Sequence, residues 1–218
     1  MISRKNRFIF VHIPRTAGNA ITSVLLKYSE TTLKPQWSAN GYGTGDNSET
    51  IDPILGNDKH FTLQKYINYL KEEIYSYRII AVVRNPWDWA CSCYFFRKQI
   101  NKGIHKKENS IWKSDDSIVA PETFDKEEFL RYLYSNNQIP QSDYLRSNKK
   151  INVYIMRYES LQKDFTKACN LLNIPSTKLP RLNSSRRFNY KKILDQELKN
   201  AISKIYFRDI EMFNYQFS

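Results

Sequence analysis

The sequence predicts an α/β protein built on a parallel sheet, and three observations carry that expectation. Residues 8–13 (FIFVHI) and 77–84 (YRIIAVVR) are short runs rich in β-branched and aromatic residues, the pattern of strands covered on both faces. Each is followed by a break and then by apolar residues at helical spacing, the strand-loop-helix order of a parallel sheet. A further run at 151–156 repeats this arrangement. At 218 residues, 41% hydrophobic and 26% charged, the chain has the size and composition of one globular domain, 1–218, able to bury a substantial core.

The first strand ends at Pro14, and Thr16, Ala17, Gly18 and Asn19 are small or turn-compatible. Ala20, Ile21, Val24 and Leu25 then recur at helical spacing, so a helix begins near Gly18. Its first N–H groups point back into the loop. With Arg15 beside them and Gly18 allowing close approach of backbone, residues 15–20 form a candidate site for phosphate or sulfate. The G-x-x-x-x-G-K-[ST] pattern of a Walker A loop is absent.

Residues 30–58 are polar, with Gly41, Gly43, Gly45, Pro35 and Pro53, and read as a long loop anchored by Trp37 and Tyr42. Thr62 is a fair N-cap for a helix carrying Leu63, Ile67, Leu70 and Ile74, which places His60 at a helix entrance. A neutral His is a capable general base near pH 7. The second strand ends at Arg84, where ligands gather in an open parallel sheet. Pro86 suits the start of the next helix, Asp88 lies in its first turn, and Ser92 lies eight residues beyond Arg84. Residues 102–122 read as a polar insertion. Asp125 and Glu128 make a capping-box-like start for a helix with Phe129, Tyr132 and Leu133. After the third strand, Glu159 or Ser160 opens a helix with Leu161, Phe165, Ala168 and Leu172, stopped by Pro175, and a last helix carries Leu194, Leu198, Ile202 and Ile205.

The net charge of +12 predicts an anionic partner, without choosing among nucleic acid, membrane surface, acidic glycan and nucleotide. No apolar run is long enough to cross a membrane, and residues 1–7 lack a signal-peptide core, so a soluble cytoplasmic protein is expected. Three cysteines, Cys91, Cys93 and Cys169, fit a reducing compartment, and Cys-x-Cys without a nearby His is poor zinc spacing.

Several of these stretches resemble one family. HIPRTAGNA at 12–20 is similar to the 5′-phosphosulfate loop of sulfotransferases that use 3′-phosphoadenosine 5′-phosphosulfate (PAPS), in particular the carbohydrate-type, heparan 2-O-sulfotransferase-like branch. The usual form there is H-I-P-K-T-A-G-T-S, so Arg15 stands in place of Lys and Asn19 in place of Thr or Ser. Tyrosyl-protein sulfotransferases resemble this chain in having Arg at that place. Lys59-His60-x-Thr62 resembles the K-H-x-T segment between the two cofactor motifs of the carbohydrate branch. RNPWDWACS at 84–92 resembles the motif R-[ND]-P-x-[DE]-x-x-x-S, whose Arg and Ser hold the 3′-phosphate, with Trp89 where many relatives have Arg. RYESLQKDF at 157–165 resembles an architectural motif of the family. LNSSRRFNY at 182–190 resembles the loop that closes over the cofactor, which implies 3′-phosphate roles for Ser185 and Arg186.

The resemblance covers nearly the whole chain. It implies a P-loop-like sulfotransferase fold, a central parallel sheet flanked by helices, with PAPS as donor and no metal. It implies cofactor contacts from Arg15, Thr16, Ala17, Gly18, Asn19, Ala20, Arg84, Ser92, Ser185 and Arg186. It also implies His60 as general base, Arg15 as the charge at the leaving 5′-phosphate, and an acceptor hydroxyl on a glycan. His12, or a Glu as in some members, is the alternative base. A P-loop-like kinase is the first rival, but lacks a Walker Lys and an evident metal carboxylate. A basic nucleic-acid-binding module is the second, and leaves 84–92 unexplained.

Overall fold

The computed structural model describes residues 1–33, 50–51, 60–101, 124–135, 139–180 and 189–217. The chain forms two compact units, Met1–Val83 with Gln141–Asn183, and Arg84–Pro140 with Ser184–Ser218. The architecture is mixed α/β, a central sheet with flanking helices.

The first unit holds a four-stranded sheet of β1 (Ile2–Ser3), β2 (Phe8–Val11), β5 (Arg78–Val83) and β6 (Val153–Arg157), in the order β1-β2-β5-β6. Strands β2, β5 and β6 are parallel, with Val11 opposite Ala81 and Val83 opposite Arg157. Strand β1 is antiparallel to β2 and adds an edge that the expected central parallel sheet did not include. This edge hairpin is hard to see in sequence because its strand is two residues long and its turn is polar, with Arg7 at φ 52°. It is held by Asn6 N donating to Ser3 Oγ (3.0 Å) and Phe10 N donating to the Met1 carbonyl (2.9 Å). A separate antiparallel pair, β3 (Thr32–Leu33) with β4 (Thr50–Ile51), lies within the stretch expected to be irregular. Trp37, Tyr42 and the three clustered glycines lie outside the described residues, as does the insertion at 102–122.

Helices α1 (Gly18–Leu25), α2 (Leu63–Leu70), α5 (Gln141–Leu145) and α6 (Leu161–Leu172) complete this unit. Phe8, Phe10, Ile80, Val82 and Met156 from the strands close on Ile21 and Leu25 of α1 and on Phe165, Ala168 and Leu172 of α6. Burying a side chain of this size contributes about 1.5–3 kcal/mol, so this layer is what fixes α1, and with it the loop from β2, against the sheet. The alternate residues Ile9, Val11, Ile79, Ala81 and Val83 are buried too, as strands covered on both faces require. Thr62 caps α2 by accepting from Lys65 N (3.4 Å), and α2 continues into a 3₁₀ turn, Lys71–Ser76, that buries Ile74. Helix α6 ends at Asn173, left-handed at φ 56°, with Ile174 N bonded to the Cys169 carbonyl (3.0 Å), a Schellman closure.

The second unit contains α3 (Pro86–Asn101), α4 (Lys126–Ser135), α7 (Tyr190–Ile193), α8 (Gln196–Ile205) and α9 (Phe207–Phe213). Asp125 caps α4 by accepting from Glu128 N (2.9 Å), and Lys98 on α3 pairs with Glu128 at 2.5 Å. Tyr94 packs among Phe124, Phe129 and Tyr132. Of the apolar stripe expected on one last helix, Leu198, Ile202 and Ile205 lie on α8. Asp195 starts α8 by accepting from Leu198 N (3.0 Å), which leaves Leu194 ahead of the helix, and Tyr206 at φ −107°, ψ 29° separates α8 from α9.

Candidate active site

Strand β2 hands the chain to α1 through a loop whose backbone is strained at two non-glycine residues. Arg15 has φ 61° and Ala17 has φ 66°, ψ 22°. A left-handed L-residue costs roughly 1–2 kcal/mol, and such strain collects where a loop is shaped for a ligand. Alternating handedness of this kind gathers successive N–H groups into an anion-binding concavity. Ala17 is the N-cap of α1, and a methyl side chain gives no capping bond. The first intrahelical bonds run from Ala20 N (3.0 Å) and Ile21 N (3.4 Å) to the Ala17 carbonyl. The donors ahead of them, at Gly18 and Asn19, are those a helix start directs at an anion, whereas Ala20 N already closes a turn. Thr16 is fully buried and its hydroxyl donates to the Ile13 carbonyl at 2.9 Å, so its side chain braces the loop. Arg15 is half-buried beside it.

Gly18 has a steric role besides the close ligand approach expected of it. A Cβ built there would lie 1.9 Å from Nε2 and 2.0 Å from Cδ2 of His12. The glycine makes room for a ring from its own preceding strand. That ring is 4% exposed, stacks on Phe10 at 5.5 Å between centroids, and meets His60 edge-on at 4.8 Å.

His60, just ahead of the Thr62 cap, is therefore brought to the loop through His12. Its Nδ1 lies 2.8 Å from the His12 carbonyl oxygen. A carbonyl oxygen only accepts, so Nδ1 carries the proton; in a neutral ring this leaves the lone pair on Nε2, the state required of a general base.

Arg84 directly follows β5. Its Nε donates to Asp88 Oδ2 at 2.7 Å, with both side chains largely buried. Using Nε for the carboxylate fixes the plane of the guanidinium. Asn85 caps α3, its Oδ1 accepting from Trp87 N (3.1 Å) and Asp88 N (3.4 Å). Asp88 and Ser92, four apart on α3, share a face, and Ser92 is buried. Trp89, where many relatives have Arg, is fully buried against Tyr206 at 5.3 Å and serves the packing of this unit. Burial pushes the Cys91 thiol well up, so it is no thiolate nucleophile. The Asn85 cap and the pairing of Asp88 with Arg84 went unassigned in the sequence, although Asn before Pro is a readable helix start. Ser185 and Arg186 lie outside the described residues.

The strained loop thus leads into a helix start where the parallel strands of a mixed α/β fold end. A model of the sulfotransferase family matches residues 1–216. The chain belongs to the sulfotransferase family, and with it to an enzyme class. An uncharacterized protein of Archaeoglobus fulgidus is 28% identical over 119 residues, covering 54% of this chain and 86% of that one. Among the described residues no helix is long and apolar enough to cross a membrane, and no three His, Cys, Asp or Glu side chains group as a metal site.

Proposed function

We propose that residues 1–218 form one sulfotransferase domain that transfers a sulfuryl group from PAPS to a hydroxyl on a glycan, as in the carbohydrate-type branch. The observation that carries the reading is the loop at Arg15 and Ala17, strained ahead of a helix start that no side chain caps. When bound, the donor supplies an activated sulfuryl group whose transfer leaves negative charge on the 5′-phosphate. Arg15 and the N–H groups of residues 16–19 hold that charge, Ala20 N being bonded to the Ala17 carbonyl. His60 takes the acceptor proton at Nε2, with Nδ1–H held by the His12 carbonyl. Arg84, oriented by Asp88, holds the 3′-phosphate together with Ser92, and Ser185 and Arg186 are assigned to it on their motif alone. Catalysis of this kind is positioning plus electrostatics and calls on no metal. A net charge of +12 suits an acidic acceptor, and three buried reduced cysteines suit the cytoplasm.

The test is thermal stabilisation by adenosine 3′,5′-bisphosphate without Mg²⁺, against ATP with Mg²⁺ and against an oligonucleotide. The bisphosphate alone should raise Tm. A larger shift with ATP and Mg²⁺ would favour a kinase, and one with the oligonucleotide a nucleic-acid module. Acceptors are then screened by mass shift with PAPS present. Sulfation of a protein tyrosine in preference to glycans would overturn the carbohydrate assignment.

A further inference from the structure

His12 touches both halves of the chemistry assigned to this unit, although it is not itself the base in the reading above. Its carbonyl oxygen accepts from His60 Nδ1 at 2.8 Å. Its ring lies edge-on to the His60 ring at 4.8 Å. On the other side Nε2 of the same ring stands 1.9 Å from where a side chain at position 18 would begin. The ring cannot retreat easily, because it is 4% exposed and stacked on Phe10, whose own side chain is fully buried in the sheet core. One residue at the end of β2 thus spaces His60 from the start of α1.

We propose that His12 is a positioning residue: its carbonyl holds His60 in the Nδ1–H tautomer, and its ring, seated in the space that Gly18 leaves, keeps His60 oriented toward the loop. This rests on His60 being the general base. It gives a second reason for the glycine. No left-handed φ is recorded at Gly18, so what the position requires is the absence of a side chain rather than glycine's conformational freedom. It also predicts an energetic coupling between two residues that a phosphate-contact role for Gly18 does not predict.

The experiment combines imidazole ¹⁵N NMR with thermal melts on the full chain for wild type, Gly18→Ala, His12→Ala, the double variant and His60→Ala, the last to assign the His60 signals. The wild-type spectrum should show His60 with a protonated Nδ1 and a pyridine-type Nε2. His12→Ala keeps the carbonyl but removes the ring that seats His60 against it, so the two His60 nitrogens should move toward the averaged shifts of a mixed tautomer. Gly18→Ala, which forces a methyl into a packed ring, should lower Tm by roughly 5 °C. With the ring already removed by His12→Ala, adding Gly18→Ala should cost less than about 2 °C. Where His12→Ala does not fold, His12→Asn supplies the same comparison with a smaller cavity.

An unchanged His60 tautomer in His12→Ala would show that the backbone carbonyl suffices and would reduce the His12 ring to packing. Equal Tm losses from Gly18→Ala with and without the ring would return the glycine to a purely loop-based role. Both results would overturn the proposal. A tautomer that shifts as expected while His60→Ala turns over normally would instead reject His60 as base and leave the positioning intact.

Discussion

The two anion sites assigned to this chain are built by opposite means. The loop between β2 and α1 is shaped by backbone: two left-handed non-glycine residues, a helix start without a side-chain cap, and a Thr16 hydroxyl turned back onto the Ile13 carbonyl. The stretch 84–92 is shaped by side chains: Asn85 caps the helix, Asp88 holds the Arg84 guanidinium, and Ser92 is presented one turn on. A group whose charge moves during reaction is best met by fixed dipoles, which need no reorganisation. A phosphate that serves only as a handle is well met by a pre-oriented Arg. Backbone-built and side-chain-built sites should also fail differently on mutation.

The largest effect is expected at the base tied to the backbone-built site. His60→Ala should lower turnover about a hundred- to ten-thousand-fold with little change in donor affinity, measured by steady-state kinetics alongside calorimetry. Arg84→Ala should weaken adenosine 3′,5′-bisphosphate by about 10- to 100-fold, the worth of a charge-assisted hydrogen bond, while Tm moves far less than unfolding would require. An unchanged dissociation constant would remove Arg84 from the 3′-phosphate. Asp88→Asn keeps the volume but loses the charge that orients Arg84, so a smaller weakening, about threefold to tenfold, is expected in the same titration. Arg15 separates the sites further: Arg15→Ala should reduce turnover more than binding, and Arg15→Lys should retain part of the activity.

The smallest effect tests the strain itself. Ala17→Gly relieves a left-handed alanine at a cost of roughly 1–2 kcal/mol, offset by about 0.5–1 kcal/mol of added chain entropy. The net should be a Tm increase of about 1–2 °C for the protein without ligand. Asn173→Gly, at a left-handed helix end that Asn already tolerates, is the control and should gain less. A loss of stability in Ala17→Gly would show that the loop is not strained as its dihedral angles suggest.

Much of this was legible in the chain because local chemistry and tertiary role agree. Thr62 and Asp125 read as caps and are caps, and Pro86 opens a helix whose first-turn Asp88 meets Arg84. The strand runs were readable because burial on both faces leaves an unbroken apolar signature. What escaped lies where the signal is nonlocal or very short. A two-residue edge strand has no periodicity to detect. The packing role of Gly18 escaped because sequence cannot show that the ring six residues earlier folds back over it. The break at Leu194 was carried by Asp195, a cap signal outweighed by a continuous apolar stripe.

The bond from Asn85 Nδ2 to the Gln216 carbonyl, 3.2 Å long and spanning 131 residues, bears on the order in which the molecule is made. The first unit is complete in sequence at Asn183, whereas the stretch Arg84–Pro140 must wait for Ser184–Ser218 before its own partners exist. During synthesis the sheet and its strained loop therefore have their full complement of chain while the start of α3 still lacks the carbonyl it donates to. Contacts across so many residues close late and slowly. A chain emerging from the ribosome would complete the loop ahead of α1 before it completes the stretch proposed to hold the 3′-phosphate.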